Sequence, residues 1–148
     1  MGLIKRFNNK KIFVDTAPLI YYIEENPFYS IVLNDLFETC KAKNNQFVSS
    51  VITLIEVLVL PLREGKKELA ETYKKILTDS RSIDIIDVNA EISEIAANIR
   101  ANNCFKTPDA IQLATAIYSS SDYFLTNDKR LKSIKEVDVI TIDELFNG

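Results

Sequence analysis

Five short apolar runs, too brief for helices and without polar alternation, most constrain what this chain can fold into. They fall at Ile12 to Val14, Phe47 to Ser49, Ile83 to Ile86, Tyr123 to Leu125 and Val137 to Ile140. A strand with one face in water alternates apolar and polar residues, whereas a strand covered on both faces does not. Between the runs lie helical stripes. Leu33, Leu36, Phe37 and Cys40 form one, and Ile92, Ile95, Ala96 and Ile99 another, each spaced i, i+3, i+4, i+7. The apolar stretch Val51 to Leu60 exceeds a usual strand and is followed by Pro61, which predicts a helix. KTPDAIQLATAI, residues 106 to 117, predicts a further helix, begun by Thr107 and Pro108, with Ala110, Leu113, Ala114 and Ile117 facing inward. Strands alternating with helices, with no hairpin dipeptide, predict an α/β fold with a parallel sheet layered by helices. No repeat or linker interrupts the 148 residues, so residues 1–148 are expected to form a single domain.

Composition narrows the function classes. An apolar share of 47% excludes disorder, and no apolar run approaches the ~20 residues of a membrane span. The N-terminal MGLIKRFNNKK has positive charge but no signal-peptide core, so a soluble cytoplasmic protein is expected. Cys40 and Cys104 are the only cysteines, which excludes a zinc cluster or a CxxC redox pair. Both fall in stretches patterned like packed helix and are expected to be reduced, partly buried thiols.

The chain contains no histidine. The commonest general base near neutral pH is therefore missing, and any chemistry falls to carboxylates, hydroxyls, lysines or a metal. In a parallel α/β sheet, ligands bind beyond the carboxyl ends of the strands. Asp15 ends the first strand in IFVDTAPLI, and Asp128 follows the fourth in FLTNDKRL. Each alone is equally well explained as a helix cap or turn acid. Asp109 sits in the first turn of the helix after Pro108, where a negative charge complements the helix dipole. Glu56, in SSVITLIEVLVLP, is the only ionisable group among apolar neighbours. It is expected to face inward toward a cation, since a desolvated, unpartnered carboxylate is costly; the alternative is a narrow solvent-facing stripe with Thr53. Grouped carboxylates repel unless a divalent cation neutralises them, and an oxygen-only set suits Mg²⁺ or Mn²⁺. The formal charge of -3 does not by itself exclude an anionic substrate. The 21 acidic residues less these four leave 17 against 18 basic ones, a balance of +1. The basic runs, Lys5 to Lys11 and Lys106 with Lys129 to Lys132, read more simply as solvated surface.

With these residues in order, the chain resembles the PIN-domain nucleases, most of all the VapC-type toxin ribonucleases of type II toxin-antitoxin pairs. The resemblance rests on IFVDTAPLIYY, SSVITLIEVL, TPDAIQLATA and FLTNDKRL, and spans Ile12 to the last strand. It implies a three-layer α/β/α domain with a parallel sheet of about five strands. It also implies an acidic quartet, Asp15, Glu56, Asp109 and Asp128, holding Mg²⁺ or Mn²⁺, with Thr126 and Asn127 orienting the carboxylates. The implied activity is endoribonuclease hydrolysis of RNA phosphodiester bonds by in-line attack of metal-activated water, leaving 5'-phosphate and 3'-hydroxyl ends. A homodimer and an antitoxin protein are the implied partners. A free-standing PIN nuclease in RNA processing and a catalytically idle PIN-like RNA- or protein-binding module remain alternatives. A haloacid-dehalogenase-type phosphatase would need a second aspartate where Ala17 stands. A phosphorelay receiver could use Asp87 but lacks the adjacent acidic pair after the first strand. Residues 63–79 and the tail DELFNG carry no motif.

Overall fold

The structure is a computed structural model that describes residues 2–79 and 81–147. Helix and strand alternate as expected. A short α1 (Gly2–Lys5) precedes β1 (Lys11–Val14), α2 (Thr16–Ile23) and α3 (Ser30–Ala42). Then come β2 (Gln46–Ser50), α4 (Val51–Arg63), α5 (Lys67–Thr78), β3 (Asp84–Ile86), α6 (Ala90–Asn102) and α7 (Thr107–Tyr118). β4 (Tyr123–Thr126), a 3-10 turn (Lys129–Ser133), β5 (Asp138–Thr141) and α8 (Ile142–Asn147) complete the chain. The five strands form one sheet in the order β3-β2-β1-β4-β5, so each predicted apolar run is a strand of the expected α/β/α class with a parallel sheet. Chain direction along the sheet reverses at β1 and β4, the switch point beyond whose carboxyl ends ligands bind.

Two compact units share the elements. The first comprises Met1–Phe47 with Ser121–Gly148. Here β1 pairs with β4, Val14 opposite Leu125, and β4 with β5, Leu125 opposite Ile140. Phe13 and Phe124 are fully buried and stack with centroids 5.0 Å apart. Along α3 the predicted stripe packs inward through Leu33, Leu36 and Cys40. Fully burying a leucine contributes about 1.5–3 kcal/mol, which adds to the hydrogen bonds of the helix itself. Burial pushes the Cys40 thiol up to about 12, with Lys43 opposing and Asp35 adding to the shift.

The second unit, Val48–Ser120, joins β2 and β3 in parallel, Ser49 opposite Ile85. Helix α6 is capped by Asn89, whose Oδ1 accepts from the Ile92 N–H at 2.8 Å, and buries Ile92, Ala96 and Ile99. Residues 63–79, without motif, contain the amphipathic α5, which buries Ala70, Tyr73 and Leu77. Helix α4 forms over the predicted stretch and runs on through Pro61 to Arg63. A proline costs about 3 kcal/mol inside a helix, but Pro61 lies in the last turn and is itself buried. Its carbonyl also accepts from the Lys66 N–H at 2.8 Å, so the chain turns only after the ring is packed. Cys104 is exposed in the connection between α6 and α7, because α6 ends two residues earlier, at Asn102. On α4 the apolar surplus is not all core: Ile55, Val59, Leu60 and Leu62 are exposed. Among the described residues no helix is long and apolar enough to cross a membrane.

Candidate active site

Asp15 and Asp128 are placed by the same parallel ladder. The Asp15 N–H extends it one residue past β1 by donating to the Leu125 carbonyl at 2.9 Å, which fixes the aspartate backbone. Its side chain caps α2, Oδ1 accepting from the Thr16 N–H at 2.9 Å. The second oxygen, Oδ2, accepts from the Thr126 hydroxyl at 2.8 Å. That hydroxyl in turn accepts from the Asp128 N–H at 3.1 Å. The fully buried Thr126, last residue of β4, thus spaces the two aspartates at the sheet's switch point. Thr126 is where a carboxylate-orienting residue is expected. The Asn127 side chain instead donates to the Tyr21 hydroxyl at 3.3 Å, so it fastens the loop to α2.

Asp128 caps the 3-10 turn through a 3.0 Å bond from the Arg130 N–H to Oδ1. The Arg130 guanidinium adds bonds of 3.0 Å to Oδ1 and of 3.1 and 2.6 Å to Oδ2. Side-chain hydrogen bonding from Arg130 holds the Asp128 carboxyl below the usual carboxylate range, against a partial burial that works the other way. Capping, the alternative explanation of both aspartates, is therefore real, and it coexists with their position at the switch point.

In the second unit, Asp109 occupies the first turn of α7, after Thr107 and Pro108 and half-buried, while Ala110, Leu113 and Ala114 are wholly buried beneath it. Glu56 lies on α4 and is exposed, contrary to the expected inward-facing, desolvated position. The reason is helical geometry. Thr53 and Val57, three residues before and one after it, take the buried face, and Glu56 shares its side with exposed Ile55, Val59 and Leu60. The solvent-facing alternative holds for Glu56 but not as a polar stripe, because Thr53 is buried.

What the sequence did not disclose is a buried polar network that ties α4 to α7. Gln112 is 2% exposed on α7. Its Oε1 accepts a short hydrogen bond from the Ser50 hydroxyl, the N-cap of α4, and its Nε2 donates to the Thr53 hydroxyl at 2.7 Å. Ser49 donates to the same Thr53 oxygen at 2.9 Å. In a low-dielectric interior a satisfied network of this kind fixes the register of the two helices that carry Glu56 and Asp109. Gln112 stands with Thr115 as a polar residue among the buried positions of α7, which is the one signal that could have marked it.

As donors, Asp15, Glu56, Asp109 and Asp128 offer only hard carboxylate oxygens, the type Mg²⁺ and Mn²⁺ take. Among the described residues no three His, Cys, Asp or Glu side chains are gathered as a ready-made cage. The oxygens of Asp15 and Asp128 are engaged by Thr16, Thr126 and Arg130. By donor type the residues fit such an ion, and by geometry their present bonds would have to be shared or exchanged to hold it.

A parallel α/β sheet with two hydroxyl-linked aspartates beyond the ends of its switch-point strands defines a class of acidic-site α/β domains. Within that class the chain belongs to the PIN-domain family, whose pattern matches residues 12–137. No curated protein matches the chain significantly by sequence. Solved structures resemble it in fold. One is VapBC2 from Rickettsia felis bound to a promoter DNA fragment, at TM-score 0.70 and 21% identity, covering 88% of this chain and 98% of that one. A toxin-antitoxin complex from Klebsiella pneumoniae gives TM-score 0.66 and 24% identity over 88% and 97% of the two chains. The sarcin-ricin-loop-cleaving toxin VapC20 of Mycobacterium tuberculosis gives 0.66 and 19% over 86% and 98%.

Proposed function

We propose that this PIN-domain protein is a metal-dependent endoribonuclease, the toxin of a toxin-antitoxin pair, in which residues 1–148 act as one domain. The observation that carries this reading is the Asp15–Thr126–Asp128 linkage beyond the ends of β1 and β4, in a member of a nuclease family. In this reading Asp15, Asp109 and Asp128 hold Mg²⁺ or Mn²⁺, and Glu56 positions the attacking water or helps hold a second ion. A bound ion of this type supplies what a histidine-free chain lacks, an acidified water and a counter-charge for phosphoryl oxygens. The protein's own part is positional. Thr126 holds one oxygen of Asp15, and Gln112 keeps α7, with Asp109, in register with α4. Thr126 and Asn127 have separate roles here, the first on the carboxylates and the second on Tyr21.

RNA as substrate and an antitoxin as partner are supported by the solved structures it resembles, which include toxin-antitoxin complexes and a sarcin-ricin-loop-cleaving toxin. A homodimer is supported by the exposed stripe Ile55, Val59 and Leu62 on α4, whose spacing of four and three residues places the side chains on one face. A cytoplasmic location accords with a helix set that includes no membrane span among the described residues. The test is cleavage of total RNA with and without EDTA by the wild type and by Asp109→Asn. Cleavage that EDTA and the substitution both abolish is the expected result. EDTA-resistant cleavage, or undiminished cleavage by a folded Asp109→Asn protein, would overturn the metal site.

A further inference from the structure

Arg130 reaches back two residues and engages both oxygens of Asp128. Its Nη2 lies 2.6 Å from Oδ2 and its Nε 3.0 Å from Oδ1. The arginine side chain is 75% exposed and that of Asp128 31%, so the clamp is held from solvent, not packed into the core. The 3-10 turn of Lys129–Ser133 sets the geometry, since the Arg130 N–H already bonds the same carboxylate and aims the side chain at it. A planar guanidinium matches a carboxylate in a two-point fork that no ammonium can reproduce. A divalent ion at Asp128 would need the lone pairs this fork now occupies, and it would be repelled by the like charge beside them.

We propose that Arg130 is a built-in competitor of the metal at Asp128. It neutralises and orients the carboxylate while no ion is bound, and it must swing away for the ion to load. Arg130 is thus a positioning residue that sets the metal concentration at which the site fills. The proposal rests on the reading of Asp128 as a metal ligand.

Calorimetric titration of Mn²⁺ into the full chain without RNA tests it, comparing wild type, Arg130→Gln, Arg130→Lys and Asp128→Asn. Melting in EDTA confirms that each variant is folded. Arg130→Gln should bind Mn²⁺ roughly five-fold tighter than wild type, the size a largely exposed pair can carry. Arg130→Lys, which keeps the charge but loses the fork, should fall between them, and Asp128→Asn should bind more weakly. Equal or weaker Mn²⁺ binding by folded Arg130→Gln and Arg130→Lys, with wild type binding normally, would overturn the competition and leave the nuclease reading standing. Wild-type affinity in Asp128→Asn would remove Asp128 from the ligand set and the proposal with it. Absence of Mn²⁺ binding in all four proteins would overturn the metal reading itself.

Discussion

Replacing Thr126 by valine removes a hydroxyl from the point where β1 and β4 meet the two aspartates, and does so with almost no change in side-chain volume. Thr126 itself is fully buried, and its two partners, Asp15 and Asp128, are half-buried. Two bonds are lost: the 2.8 Å donation to Asp15 Oδ2 and the 3.1 Å acceptance from the Asp128 N–H. A hydrogen bond to a charged group contributes about 1.5–3 kcal/mol and a neutral one about 1 kcal/mol. The more lipophilic valine offsets a little of this, leaving an expected loss of about 2–4 kcal/mol. For a domain of this length each kcal/mol moves the melting temperature by about 2–4 °C, so a drop of roughly 5–15 °C is expected. Thermal and urea unfolding in EDTA at neutral pH, with Thr126→Ser as a hydroxyl-retaining control, measures it. The serine should lose about 1 kcal/mol for its missing methyl. A valine variant within ~0.5 kcal/mol of wild type, or one no worse than the serine, would refute the idea that this hydroxyl holds the two acids together.

Three further outcomes follow from the same geometry. Gln112→Leu should cost about 1–3 kcal/mol in urea unfolding, since the Ser50 and Thr53 hydroxyls lose their common partner; an unchanged midpoint would show that the network is not holding α4 against α7. Asp128 has its pKa depressed chiefly by the side-chain hydrogen bond from Arg130, so the pair's stabilisation is present above the unfolded value of about 3.9 and is lost as pH falls through the lower folded value. The stability gap between wild type and Arg130→Gln at low salt should therefore close on acidification from pH 6 to pH 2 or so, and a gap independent of pH would contradict the ion pair. A thiol reagent near neutral pH should label Cys104 promptly and Cys40 only on unfolding, because Cys40 is buried with its pKa at about 12; equal labelling rates would refute that burial.

The strands were the most legible part of the chain, and for a physical reason. Val14, Phe124 and Ile140 are covered on both faces, so their runs carry no alternation that could be mistaken for a surface hairpin. The positions of Asp15 and Asp128 were legible because each follows shortly after an apolar run that forms a strand. Glu56 departs from its expected position because apolar neighbours in sequence are not apolar neighbours in space. On α4 several of those residues are themselves exposed, and sequence adjacency on a helix scatters side chains around the axis. Gln112 and the Arg130 clamp were invisible for another reason: each depends on a contact whose geometry no local pattern encodes. The Gln112 partners lie 62 and 59 residues away, and the Arg130 fork depends on a turn shape.

The bond from Thr126 to Asp15 spans 111 residues of chain. Bringing such distant partners together is among the slower acts of folding, because loop closure precedes any gain from the contact. On a ribosome adding about 5–20 residues per second, Asp15 is made roughly 5–22 s before the threonine that orients it. Throughout that interval β1 has no β4 to pair with, and Asp15 is an acid without its Thr126 donor. A chain proposed to cut RNA therefore spends its own synthesis, on an RNA machine, without the assembled aspartate pair.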